Sequence, residues 1–157
     1  MMPPSLLPVL PEMILLAAAC AVLLIDLLLA DAQRHVGYWL TQLTLLVCAW
    51  VTLSTADIEP VRALHALVVD DMLSDLLKFF SYFAVSLMLF YSRGYLVARG
   101  LFRGETFVLT LFALLGMMVM ISAGSFLTLY LGLELQALSL YALVTCTGDR
   151  TMRPRRQ

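Results

Sequence analysis

The nineteen residues FLTLYLGLELQALSLYALV, 126 to 144, carry a single charged group, Glu134. A run of that length limits the chain to few options. An α-helix rises about 1.5 Å per residue, so about 20 apolar residues cross a hydrocarbon core of about 30 Å. Inside that core every backbone N–H and C=O must bond within the protein, which leaves a helix as the form for such a segment. The run is not isolated. Hydrophobic residues make up 62% of the 157 and charged residues 13%, against about 45–50% and 25% in soluble domains. A mean hydropathy of +0.93 fits a chain whose solvent is lipid.

Five segments meet or approach spanning length, predicting an all-α integral membrane fold with helices at about 11–30, 37–55, 72–91, 105–122 and 125–146. Pro11 opens the first, as proline suits the first turn of a helix. The second is diluted by Gln42, Thr41, Thr44, Thr52 and Thr55, with Tyr38 and Trp39 at its mouth in the manner of an interfacial aromatic belt. The third begins VVDDMLSDLLK, where Asp71 is placed to cap the helix and acids favour its N-terminal dipole. Only AGS or so separates the fourth and fifth, which must form an antiparallel hairpin. The N-terminal MMPPSLLPVLPEM has no Lys or Arg, so it lacks the basic region of a cleavable signal, and the first run reads as a retained span.

The loops alternate sides, and their bases set an orientation. Arg34, Arg93, Arg99, Arg103, Arg150, Arg153, Arg155 and Arg156 fall on one side, and Arg62 with Lys78 on the other. The excess of bases marks the first side as cytoplasmic. The N-terminus is thus expected outside and the C-terminus inside. Residues 1–146 read as one transmembrane domain and 147–157 as a basic cytoplasmic tail. Cys20, Cys48 and Cys146 have neither metal nor disulfide spacing and read as buried small apolar side chains.

A charge near the bilayer centre costs at least about 2.5–3.5 kcal/mol, so charges within spans are functional candidates. Glu134 is the strongest, about 14 Å into its helix. Its face carries Tyr130, Leu131, Leu138 and Tyr141. A carboxyl in that setting suits a proton relay, or a neutral acid hydrogen-bonded across a helix interface. Lys78 is two turns into the third span. It reads as a cationic partner for a buried acid, or, as spacing alone favours, as a side chain that snorkels outward or pairs with Asp75. Asp26 sits one turn from its span's end, within reach of headgroups. His35 and His65 lie in loops without ligand-spaced companions. There is no phosphate loop, cysteine cluster, haem histidine pair or GxGxxG, so redox chemistry belongs to partners.

Several stretches together resemble a known family. LLPVLPEMILLAAACAVLLIDLLL, the loop SRGYLVARGLFRGE, the hairpin LLGMMVMISAG and LYLGLELQALSLYALV are similar to the N-terminal third of subunit N of bacterial NADH-quinone oxidoreductase, respiratory complex I, over about residues 6–144. The resemblance implies an antiporter-like subunit of the membrane arm, in the bacterial inner membrane, bound to other membrane subunits and to no nucleic acid. It implies no cofactor in this chain, with NADH, FMN, iron-sulfur clusters and quinone handled by other subunits. Glu134 matches the fifth-helix glutamate that pairs with lysines on later helices in proton translocation, and Lys78 matches a basic position of the third helix without a firm role. After LYALV, the segment TCTGDRTMRPRRQ departs from the family and reads as an ordinary stop-transfer tail or as a truncated or frameshifted continuation. Two other readings share the helical architecture: a subunit of a multi-subunit sodium/proton antiporter, and a small membrane protein of assembly or interaction.

Overall fold

The computed structural model describes residues 9–28, 34–55, 61–63, 68–98 and 104–151. Five helices appear in the expected order: α1 (Leu10–Leu28), α2 (Arg34–Thr55), α3 (Met72–Ala98), α4 (Gly104–Ile121) and α5 (Phe126–Thr151). Four are long and apolar enough to cross a membrane, and α1 adds a shorter apolar stretch, Leu10–Ile25. The chain is a helical multi-pass membrane protein.

Three features differ from the sequence expectation. The connection between α2 and α3 contains a short antiparallel ribbon, β1 (Val61–Ala63) paired with β2 (Val68–Asp70), with Arg62 opposite Val69. Strands of only three residues leave no periodicity to read. Helix α3 continues to Ala98, so SRGYLVA is helical where a loop was expected. Gly94 lies within it, with open space where a side chain would stand. Helix α5 continues to Thr151, so five residues of the expected tail are helical. The histidine expectations lie outside the described residues or side chains, as does the side chain of Asp26.

The packing follows heptad-like spacings. α1 buries Glu12, Leu15, Ala19 and Val22; α2 buries Tyr38, Thr41, Leu45, Cys48 and Thr52. These intervals of three and four put each set on one stripe. α4 has buried residues from Gly104 to Met118, including Phe107, Leu111 and Leu114, because α1, α2, α3 and α5 all touch it. It is the central post: α1–α3 pack on one side and α5 chiefly on α4 itself. Of the cysteines, Cys48 is buried as expected, whereas Cys20 and Cys146 are exposed. Their positions fall off the packing stripes and face the surroundings of the helices.

The threonines that dilute α2 are reconciled with lipid by their own helix. Thr41, Thr44 and Thr55 donate their hydroxyls to the carbonyls four residues earlier, at 2.8, 2.8 and 2.9 Å. Gln42 is held across the α2–α3 interface, where the Ser86 hydroxyl donates to its Oε1 at 2.6 Å and its Nε2 donates to the Ser86 carbonyl at 3.2 Å.

Candidate functional site

Glu134 is placed by a close helix crossing. The Ser125 Oγ caps α5 by accepting the Thr128 N–H at 3.2 Å, and Gly132 lies against Gly116 of α4. A Cβ on Gly116 would fall 2.7 Å from the Gly132 carbonyl oxygen and 2.7 Å from the Gln136 nitrogen, so only glycine permits this approach. Gly132 therefore faces α4. Two residues on, Glu134 is rotated by about 200° at 3.6 residues per turn, away from α4. It is partly buried, and the Tyr130 hydroxyl one turn earlier interacts with its carboxylate. Tyr130, Leu131, Leu138 and Tyr141, the residues that share its face, are all exposed. An acid about 12 Å into its helix thus stands on an open face of α5.

Lys78 has a different setting. It is wholly buried, with its Nζ 3.0 Å from Glu12 Oε1 of α1. The sequence expectation that Lys78 snorkels outward is overturned: its side chain points into the helix packing, where Glu12 supplies the countercharge at the same depth. An ion taken from water into such a site carries a penalty of several kcal/mol, which close pairing and further hydrogen bonds offset. Ser122, just past the end of α4, supplies one of these by donating its hydroxyl to Glu12 Oε1 at 3.0 Å.

Around this pair the ends of four helices meet. Cys48 Sγ lies 3.9 Å from the Pro11 carbonyl, and Ser74 Oγ lies 3.5 Å from the Ile121 carbonyl. Asp75 and Ser74 are buried at the mouth of α3. Asp71 caps that helix as expected, its Oδ1 accepting the Ser74 N–H at 2.7 Å. Hydrogen bonds from Ser74 hold the Asp71 carboxyl below its ordinary value, with a smaller contribution from Lys78. Three buried polar atoms have no hydrogen-bond partner among the described residues: Glu12 Oε2, Thr52 Oγ1 and Tyr82 OH. Left so, each costs about 1–3 kcal/mol.

The structure thus separates the two sequence candidates. Glu134 and Lys78 lie on different helices, α5 and α3, that both pack on α4, and Lys78 pairs with Glu12, an acid that sequence reasoning missed. A signal for it was present. The alternation of spans puts the starts of α1 and α3 and the end of α4 at one membrane end, and a lysine two turns deep there requires an acid at similar depth; Glu12 is the one that the first helix offers.

Comparison with known proteins gives a consistent answer. No protein-family model matches the chain. NADH-quinone oxidoreductase subunit N of Thiobacillus denitrificans is 51% identical over 96% of this chain and 32% of its own length. The proteins of the same name from Herminiimonas arsenicoxydans and Methylovorus glucosotrophus are 48% and 52% identical over 94% and 89% of the chain. The chain spans about a third of the length of the curated relatives it matches. With identity of this order along nearly all of its helices, the chain is a homologue of subunit N of the bacterial NADH-quinone oxidoreductases.

Proposed function

We propose that the chain acts in the membrane arm of a proton-pumping NADH:quinone oxidoreductase, where quinone reduction is coupled to proton translocation, and that Glu134 is its intramembrane proton-handling carboxylate. The observation that carries this reading is the placement of Glu134 mid-helix on the face of α5 turned away from α4. A carboxylate there invites a basic group from further helices packed on that face. A proton shared between them changes the charge of both, so the separation of the pair gates its release. NADH, flavin, iron-sulfur clusters and quinone belong to other subunits in this reading, and the partners are the neighbouring membrane subunits. The excess of arginines places the C-terminal end of α5 on the cytoplasmic side and the start of α1 outside.

The test is Glu134→Gln in the assembled oxidoreductase in inverted membrane vesicles. The expected result is loss of most NADH-driven proton uptake, while NADH oxidation with an artificial electron acceptor is retained. Undiminished proton uptake per NADH would rule out the role. Assembly instead into a cation antiporter without NADH oxidase activity would favour the antiporter reading.

A further inference from the structure

The three buried polar atoms without a hydrogen-bond partner among the described residues come from three different helices. Glu12 is on α1, Thr52 on α2 and Tyr82 on α3. Tyr82 is within electrostatic reach of Glu12, Cys48 and Asp75, and its hydroxyl is a neighbour of the Thr52 hydroxyl. Thr52 and Tyr82 are 0% and 1% exposed. Thr52 also breaks the pattern of its helix: Thr41, Thr44 and Thr55 satisfy their hydroxyls on carbonyls of their own helix, and Thr52 does not. A hydroxyl kept off its own backbone in an apolar helix points to a ligand.

We propose that Glu12 Oε2, Tyr82 OH and Thr52 Oγ1 bind an internal water beside the Glu12–Lys78 ion pair, forming a hydrated polar site separate from Glu134. The donor and acceptor count fits. Water gives one O–H to the Glu12 carboxylate oxygen and accepts from the tyrosine and threonine hydroxyls, and two to four polar partners are what a buried water requires. A metal cation fits less well, because the Lys78 ammonium, 3.0 Å from Glu12, already balances its charge. Among the described residues, the titratable groups surrounding the site are Glu12 from α1, Cys48 from α2, Asp71 just before α3, and Asp75, Lys78 and Tyr82 from α3; the Ser122 hydroxyl stands at the end of α4. Bound water completes the hydrogen bonding of Glu12 on the side that Lys78 and Ser122 leave open. The inference concerns the chain itself and does not depend on the role assigned to Glu134.

Infrared difference spectra of the full chain in nanodiscs, in H2O against D2O, test the site. The expected wild-type signature is a narrow O–D stretch from a weakly bonded internal water. It is lost or displaced in Tyr82→Phe and in Thr52→Val, and kept in Thr44→Val, whose hydroxyl bonds its own helix. Tyr82→Phe removes a single oxygen and alone decides the matter if Thr52→Val does not fold. Absence of the band, its persistence in Tyr82→Phe, or a response to added sodium ions in place of water overturns the proposal.

Discussion

Replacing Lys78 by methionine is the sharpest perturbation of this chain, because it keeps side-chain length and apolar contact while deleting one charge of a buried pair. Lys78 is 0% exposed and Glu12 8% at the side chain. In Lys78→Met, Glu12 keeps the Ser122 hydroxyl on Oε1 and has no partner on Oε2 among the described residues. Removing one member of a buried ion pair typically costs about 3–5 kcal/mol, because the survivor stays buried and charged. The expected loss is therefore about 3–5 kcal/mol. If the pair were one more polar contact between spans, the loss would be nearer 0.6 kcal/mol, the average of interhelical hydrogen bonds in membranes.

The assay is equilibrium unfolding of the chain in lipid–detergent bicelles titrated with SDS, followed by helical circular dichroism. The double variant Glu12→Leu/Lys78→Met separates an uncompensated charge from lost packing. With both charges gone and similar volume present, stability should return to within about 1 kcal/mol of wild type. A single-variant loss under 1 kcal/mol, or a double variant no better than Lys78→Met, would refute the reasoning.

Other consequences are tested the same way. Gly116→Ala should destabilise the α4–α5 hairpin by about 1–3 kcal/mol, since its Cβ would meet backbone atoms at 2.7 Å, whereas Gly94→Ala, with open space around it, should gain up to about 1 kcal/mol from helix propensity; equal effects would sink the packing account. Asp71→Ala should cost about 0.5–2 kcal/mol through its lost cap. Because the folded state lowers the proton affinity of Asp71, its contribution is full above the unfolded pKa and fades as pH falls through the lower folded value. The wild-type advantage over Asp71→Ala should therefore shrink only in acid, and solvent screening keeps that pH-dependent part small. Glu134→Gln, on an open face, should leave stability within about 0.5 kcal/mol of wild type while proton uptake by the assembled enzyme falls, a split that a merely structural glutamate would not give.

The spans were legible because lipid imposes one rule along the whole chain: an apolar run of about 20 residues must be a helix. Asp71 as a cap and the α4–α5 hairpin were legible for equally local reasons. The continuation of α3 through SRGYLVA was not, because arginine, glycine and tyrosine together suit either a loop or a helix emerging at an interface, and only packing decides. Glu12 was hidden for a related reason. An acid in the first turn of a helix is satisfied by the dipole in isolation, and nothing local says that a lysine 66 positions later will share its depth.

That difference separates two kinds of charge within the helices of one chain. The Glu12–Lys78 pair joins α1 to α3, with the Ser122 hydroxyl from the end of α4 on the same carboxylate. Glu134 is held as firmly in position, through the glycine contact of α5 with α4, but faces away from that contact. The Glu12–Lys78 pair helps fix the first three helices to the central post, and the post in turn fixes where α5 presents its acid. A charge meant only to lock helices gains nothing from an open face. In the proposed role, a charge that exchanges protons with a partner on another helix needs support behind it and access in front, and the glycine contact with α4 and the open face of α5 are consistent with both.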